Sequence, residues 1–331
     1  MKSGFAAAVL APALLLAGCA GAPPVLAPHL PAEARKTSVE LDATPFFPQT
    51  VHQCGPAALA TVLANSGVDV TPEALVSRVY LPDRKGSLQA ELVAATRSYA
   101  RLPYIIKPDL SALLTELQAA HPVLVLQNLG VSFYPVWHYA VVIGYLPDED
   151  AVILRSGVTR RVVMPATRFL RTWKLAGNWG LIVLRPGELP ARPVPVAYLK
   201  AAADLESVGQ TQAAELAYAA AVSRWPDNAT AWLGLGNTRY RSGNLKDAER
   251  SYRRAVQADP GYLAAWNNLA EVLAQRGCFH AAIATLDGAL ARPRSDADTT
   301  LRRLLLQTRT EILTRRPAGK PVDAASCEQV D

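Results

Sequence analysis

The chain has few of the residues that build metal or redox centres. It contains 4 cysteines, 5 histidines and 2 methionines among 331 residues. None of them forms a C-x-x-C or H-E-x-x-H pattern, so we expect no metal and no cofactor. The net charge is only +6, and no basic run with interleaved aromatic residues occurs, so we expect no nucleic-acid partner.

Long apolar runs are also scarce, and the only candidate lies at the start of the chain. Lys2 precedes an apolar segment from Phe5 to Leu16, and Leu16-Ala17-Gly18-Cys19 closes it. This ending resembles the bacterial lipobox, which implies cleavage before Cys19 and acylation of its sulfur. In that resemblance Ala20 after the cysteine implies the outer membrane. We therefore expect a lipid-anchored protein of the bacterial envelope that faces the periplasm; an ordinary secretion signal with an incidental Cys19 is the alternative.

Proline-rich stretches divide the rest of the chain. A length of 331 residues allows roughly two domains. We predict a signal over 1–18, a proline-rich tether over 19–43, a first domain over 44–186, a linker over 187–196, helical repeats over 197–293, and a capping helix and tail over 294–331. The tether would hold the first domain away from the membrane.

Cys54 stands where a turn is predicted to become a helix. Gly55 and Pro56 suit the first helical positions, and Ala57 to Leu63 continue with apolar residues that suit a helix. The unpaired amides and partial positive charge at a helix start stabilise a thiolate over a thiol. Cys54 is therefore the candidate nucleophile.

His138 is the candidate base. It opens a run to Tyr145 that predicts a buried strand, and it is the only polar residue on its face of that strand. Gln49, five residues before the sulfur, has a side-chain amide that can join the Cys54 backbone amide in an oxyanion hole. His52 is a rival base, but near neighbours on a turn rarely face each other, so we prefer His138.

These pieces resemble a known family. Gln49, Cys54-Gly55-Pro56-Ala57 and the strand from His138 to Tyr145 resemble the bacteriocin-processing, double-glycine leader peptidases and their free-standing relatives, which are papain-like cysteine peptidases. The resemblance spans about Thr44 to Leu184. It implies an α+β papain-like domain that hydrolyses peptide bonds, with substrates cleaved after small residues such as Gly-Gly.

The third catalytic member departs from that family. Many members have an Asp before the nucleophile, where this chain has Gln53, and an orienting Asp on the strand after the histidine. Here that strand, residues 151–157, contains no carboxylate, and Ser156 is nearest to the expected place. The weaker candidates are Asn128, Asp148 and Asp150.

The order of predicted elements agrees with this fold. Helices are predicted over 55–65, 72–79, 88–99 and 110–120, and strands over 123–127, 138–145, 152–154, 161–164 and 180–184. Helices followed by an antiparallel sheet place the sulfur and the imidazole on facing layers.

The C-terminal part repeats with a period of 34 residues. Tyr198, Trp232 and Trp266 keep this step, and so do Gly209, Gly243 and Gly277. The pattern resembles the tetratricopeptide repeat and implies an all-α solenoid of three helix pairs, capped by a helix over 299–314, with a groove for a protein partner. Cys278 and Cys327 could pair in an oxidising compartment, but we prefer a small buried thiol at Cys278.

The sequence thus predicts a membrane-anchored cysteine peptidase acting on a peptide or protein substrate. Cys54 would attack the carbonyl, His138 would move the proton, and Gln49 would hold the oxyanion, while Ser156 would orient the imidazole. Two alternatives stay open. One is a catalytically silent, peptidase-like lipoprotein that assembles other proteins; the other is a cysteine-dependent acyl or amide transferase.

Overall fold

The computed structural model describes residues 23–49, 53–292, 299–315 and 327. Cys19 and His52 lie outside these ranges, so lipidation of the first and the rival role of the second stay predictions. The strands are β1 (Val39–Glu40), β2 (Leu102–Ile105), β3 (Val123–Asn128), β4 (Trp137–Leu146), β5 (Ala151–Ser156), β6 (Thr159–Pro165) and β7 (Gly180–Leu184). The helices of this part are α1 (Cys54–Asn65), α2 (Pro72–Val79), α3 (Gln89–Ser98), α4 (Leu110–Gln118) and α5 (Ala166–Lys174).

The strands form one antiparallel sheet in the order β2-β7-β3-β4-β5-β6, and β1 pairs with β4. One face packs against α1, α2 and α3, and the other packs against α4 and α5. This arrangement confirms the predicted α+β class. β1, β2 and α5 were not predicted from the sequence. β2 is only four residues long and contains Pro103, which has no backbone N–H to donate and makes the segment look unlike a strand.

Helix α1 is buried nearly all round. Its residues Gly55 to Leu63 are buried, and no charged residue interrupts them, because the helix lies between the sheet and its neighbours α2 and α3. A helix that is apolar on every side belongs in the interior. This burial fixes the position of its first residue, Cys54, relative to the sheet.

The segment before β1 differs from the predicted tether. Leu26 and Leu30 are buried in the core beneath the sheet, and the backbone amides of Val25 and Leu26 donate to the carboxylate of Asp150 at 2.8–3.0 Å. The proline content suggested an extended spacer, but burying two leucines stabilises the docked segment by several kcal/mol, roughly 1.5–3 each. The prediction of a free tether is therefore wrong from residue 25 onward.

The absence of a side chain at Gly144 allows β1 to lie against β4. A Cβ at position 144 would lie 2.1 Å from the carbonyl oxygen of Val39, so any larger residue would displace β1. Beyond β1, the amide of Leu41 donates to the carbonyl of Ile143 at 2.8 Å. The chain then runs along β4 and β5 towards Gln49, whose amide donates to the carbonyl of Gly157 at 3.0 Å.

The C-terminal part consists of antiparallel helix pairs. They are α6 (Pro195–Ser207) with α7 (Thr211–Arg224), α8 (Ala229–Arg241) with α9 (Leu245–Ala258), and α10 (Leu263–Gln275) with α11 (Phe279–Leu290), followed by α12 (Thr299–Arg315). The turns within the pairs hold Gly209, Gly243 and Gly277 at φ values of 81°, 81° and 84°, a conformation that glycine adopts without strain. The predicted all-α repeat region is confirmed.

The first helix pair shares a hydrophobic core with the sheet. Tyr198 and Leu205 of α6 are buried in the same cluster as Leu102 and Tyr104 of β2. The amide of Val194 donates to the hydroxyl of Tyr104 at 3.3 Å, so the residues predicted as a linker are bonded to the sheet. The repeats therefore continue the core of the first domain.

A disulfide joins Cys278 to Cys327. The preferred expectation of a free buried thiol at Cys278 is wrong, because Cys327 lies beside the residue that precedes α11, a proximity that sequence spacing does not reveal. No helix within the described ranges combines the length and the apolarity that crossing a bilayer requires.

Candidate active site

Cys54 is the first residue of α1 and carries a free, half-buried thiol. The first amide groups of a helix have no partner within it, so the Cys54 amide points out of the helix start beside its own side chain. The carbonyl of Gln53 accepts from Ala57 at 3.2 Å and closes the first turn. This is the helix-start position that the sequence predicts for the nucleophile.

The loop before α3 packs directly on this helix start. A Cβ at Gly55 would lie 2.3 Å from Oγ of Ser87 and 3.7 Å from the ring of Tyr139. The hydroxyl of Tyr139 donates to the carbonyl of Ser87 at 3.3 Å. Oγ of Ser87 is itself buried, with no hydrogen-bond partner among the described residues. The contact between Ser87 and Tyr139 was not predicted from the sequence, since 52 residues separate them along the chain.

His138 lies at the start of β4 and pairs with the end of β5. Its Nε2 is 2.8 Å from Oγ of Ser156. Burial lowers the pKa of His138 below its usual value, which favours a neutral imidazole at neutral pH. In the tautomer in which Nε2 donates to Ser156, Nδ1 carries the lone pair that can accept a proton.

Gln49 lies at the same end of β4 as His138. Its Nε2 donates to the carbonyl of Tyr139 at 3.4 Å, while its backbone amide is held by Gly157. A primary amide carries two hydrogens, so one remains for a developing oxyanion.

Arg155 fixes the backbone of the segment from Asp42 to Thr44, which leads to Gln49. This side chain is 2% exposed, and its guanidinium donates to the carbonyls of Asp42 at 2.9 Å and Thr44 at 3.2 Å. A buried arginine satisfied by backbone carbonyls fixes the chain beside it. No local pattern predicts this role, because Arg155 lies within an otherwise apolar strand.

Tyr139 links the predicted site residues. Its carbonyl receives Gln49, and its ring packs with Cys54 in one hydrophobic cluster. Burial, and then the charge of Cys54, raise the pKa of Tyr139 above its usual value. His138 directly precedes Tyr139 on β4. In the described part of the chain there is no hydrogen bond between Cys54 Sγ and His138, a contact that often tightens only when substrate binds.

The weaker candidates for the third member lie elsewhere. Oδ1 of Asn128 accepts from the amides of Gly130 and Val136 at 3.0 and 2.9 Å and so serves its own loop. Asp148 and Asp150 lie in the turn between β4 and β5, at the opposite end of β4 from His138. The described residues include no group of His, Cys, Asp and Glu that could hold a metal ion.

The helical repeats contain a separate cavity of about 350 Å³, lined by Glu206, Asn237, Tyr240, Arg241, Tyr252, Asn268 and Glu271. Oδ1 of Asn237 accepts from the hydroxyl of Tyr252 and from Nδ2 of Asn268, both at 3.0 Å. This network orients polar groups towards the groove between successive repeats.

Comparisons with known proteins agree with the division into two parts. The model of the Peptidase_C39 like family matches residues 41–180, and that of the tetratricopeptide repeat matches residues 199–262 and 234–298. An uncharacterized protein of Methanothermobacter thermautotrophicus is 32% identical over 135 residues, which are 41% of this chain and 84% of the relative.

Two solved structures are similar to one part each. The peptidase domain of Streptococcus ComA, a bifunctional transporter of a quorum-sensing pathway, is 21% identical with a TM-score of 0.36, over 43% of this chain and 98% of that one. The type III secretion translocator chaperone SycD of Yersinia enterocolitica is 20% identical with a TM-score of 0.34, over 36% of this chain and 82% of that one.

Proposed function

Because the chain belongs to the Peptidase_C39 like family through residues 41–180, we propose that it is a cysteine peptidase whose nucleophile is Cys54. The observation that carries this proposal is the meeting of three elements at the start of β4. Gln49 bonds to the carbonyl of Tyr139, Cys54 packs against the hydrophobic cluster that contains Tyr139, and His138 directly precedes Tyr139 with its imidazole bonded to Ser156.

In the proposed reaction His138 Nδ1 accepts the thiol proton while Sγ attacks the substrate carbonyl. The oxyanion that forms is held by Nε2 of Gln49 and the amide of Cys54. The imidazolium then protonates the leaving amine, and a thioester remains on Cys54. Water, deprotonated by His138, attacks this thioester and releases the acid. Ser156 holds the His138 ring in one orientation throughout.

We further propose that the protein is anchored through acylated Cys19 and acts in the periplasm at the outer membrane. The Leu-Ala-Gly-Cys ending supports the anchor. The disulfide between Cys278 and Cys327 supports an oxidising compartment. The helical repeats would hold a protein partner or substrate in the groove that contains Asn237 and Asn268.

Labelling of the full-length protein with an iodoacetamide probe tests the nucleophile. We expect Cys54 to label quickly at pH 7, and His138→Ala to slow this reaction by about 10² or more, the usual contribution of a general base. Cys54→Ala should abolish both labelling and cleavage of peptide libraries. Equal labelling with and without His138 would favour the silent, protein-assembling alternative.

Adding an amine acceptor to the peptide-cleavage assay distinguishes a peptidase from a transferase. Free acid as the only product identifies a peptidase. Amide formed with the added amine would instead identify a transferase working through the same thioester.

A further inference from the structure

Large apolar side chains stand exposed between β3 and β4. They are Leu129, Val131, Phe133, Tyr134, Val136 and Trp137, and Val158 in the turn between β5 and β6 adds a seventh at the same end of the sheet. Phe133 is 91% exposed and Tyr134 74%. We call these seven residues the apolar rim. Contiguous exposed apolar side chains mark interaction sites in soluble proteins.

The rim is built on an ordered loop. The buried Asn128 side chain accepts from the amides of Gly130 and Val136. The amide of Leu129 donates to the carbonyl of Val136 at 2.8 Å, and Val131 and Tyr134 exchange two hydrogen bonds of 3.2 Å. These bonds order the backbone of the loop, and its apolar side chains are exposed.

The rim is continuous with the candidate active site and uncharged. Trp137 directly precedes His138, and Val158 lies two residues beyond Ser156. From Pro122 to Pro147 the chain has no Asp, Glu, Lys or Arg. A charged ligand would find no partner in this loop, whereas an apolar, uncharged one would lose water-exposed surface on both sides.

The place where the N-terminal segment joins the sheet makes the anchoring membrane an unsuitable occupant of the apolar rim. The amides of Val25 and Leu26 bind Asp150, at the end of β4 opposite the rim. The ten residues of β4 separate these ends by roughly 33 Å. Cys19 precedes Val25 by six residues, a reach of at most about 20 Å. A bilayer holding Cys19 would thus come within about 20 Å of Val25, whereas the rim lies at the far end of β4.

We propose that the apolar rim binds an uncharged, apolar segment of the polypeptide substrate and directs it across His138 and Cys54. The proposal rests on the proposed peptidase function and adds a substrate class to it. Phe133, Tyr134 and Trp137 supply aromatic surface of the kind that dominates binding energy at interfaces. Segments with charged residues at the positions that meet the loop between β3 and β4 are disfavoured, because that loop carries no charged side chain to replace the lost water.

Binding to the full-length Cys54→Ala protein tests this without turnover. The probe is a fluorescein-labelled 12-residue peptide with Val, Leu and Phe around a central Gly-Gly, and its partner has Asp at the apolar positions. We expect fluorescence anisotropy to detect only the apolar peptide. Phe133→Ser with Tyr134→Ser should weaken its binding by about tenfold. The control Val196→Ser, at a position that is 79% exposed on α6, should leave it unchanged.

Three results would overturn the inference: equal affinity in the rim variant, rim-dependent binding to phosphatidylglycerol vesicles in place of the peptide, or a dimer of the chain that only the rim variant dissolves. Labelling of Cys54 in the otherwise unaltered protein is measured in parallel. An unreactive Cys54 with rim-dependent peptide binding would end the peptidase proposal and leave the binding surface in place.

Discussion

Oγ of Ser156, the last residue of β5, lies 2.8 Å from Nε2 of His138 near the start of β4. A hydroxyl orients the ring but does not compensate the charge of an imidazolium. Burial lowers the pKa of His138, and among the described residues no charged partner offsets this. His138 is therefore suited to act as a neutral base rather than as half of a preformed ion pair.

Ser156→Asp should raise the pKa of His138 by about one to three pH units, because a carboxylate in contact stabilises the imidazolium. NMR titration of the His138 ring measures this directly. A thiolate–imidazolium pair would then be present up to higher pH, and alkylation of Cys54 near pH 7 should become faster. Ser156→Ala, which removes the hydrogen bond without adding charge, is the control. An unchanged His138 pKa in Ser156→Asp would contradict the assigned contact.

His121 makes stability depend on pH. Its Nδ1 lies 2.7 Å from Glu116 and its Nε2 3.2 Å from Glu188. Burial lowers the pKa of His121, but the hydrogen bonds and charges of the two carboxylates outweigh it and raise the pKa to about 9. In the unfolded chain it is about 6.5. The protonated ring is thus favoured by folding, and its contribution is complete below pH 6.5 and lost as the pH rises to 9.

Urea unfolding at pH 6 and pH 9 tests this. We expect His121→Gln to lose roughly 2–4 kcal/mol of unfolding free energy relative to the unaltered protein at pH 6 and much less at pH 9. The control is His29→Gln, at an exposed ring. If the difference between His121→Gln and the unaltered protein were the same at both pH values, the charged contact would be refuted.

Gly55→Ala should destabilise the start of α1. The new Cβ would collide with Ser87, and overpacking of this kind costs about 1–3 kcal/mol. Gly288→Ala in α11 meets nothing within 4 Å and should stabilise the protein by roughly 0.5–1 kcal/mol through helix propensity. Denaturant midpoints compare the two. Adding Ser87→Gly to Gly55→Ala should restore stability, and failure to do so would place the strain elsewhere.

Removing the repeats should destabilise the first domain, since Tyr198 and Leu205 cover β2. We compare fragments ending at residue 190 and at residue 243. The shorter one exposes apolar residues of the sheet and should melt roughly 10 °C or more below the longer one, because each buried large side chain contributes about 1.5–3 kcal/mol. Equal melting temperatures would mean that the shared core adds nothing.

Features set by local sequence were predictable. The helix start at Cys54, the N-caps Thr71 and Asp109, which accept from Ala74 and Ala112, and the glycine turns of the repeats all depend on residues a few positions apart. The family resemblance added the order of Gln49, Cys54 and His138. These local signals were enough to predict the fold class.

Contacts between distant segments were not predictable. Ser87 meets Gly55 across 32 residues of chain, and Arg155 holds carbonyls more than 100 residues upstream. The docking of Leu26 and Leu30 depends on a hydrophobic surface that exists only once the sheet has formed. Such contacts gain their energy from packing, which periodicity and composition do not describe.

The core shared by β2 and α6 also determines how a captured partner is presented. A partner bound in the groove lined by Asn237 and Asn268 would be attached to a surface whose orientation relative to Cys54 is fixed, so its effective concentration at Cys54 would depend on its own length and flexibility. Chains too short to span that interval gain nothing from being captured, while longer ones are favoured over free peptides. Selection of partners by their length would therefore add to selection by their sequence. Exchanging the repeats for those of another protein would require an α6 surface that matches β2.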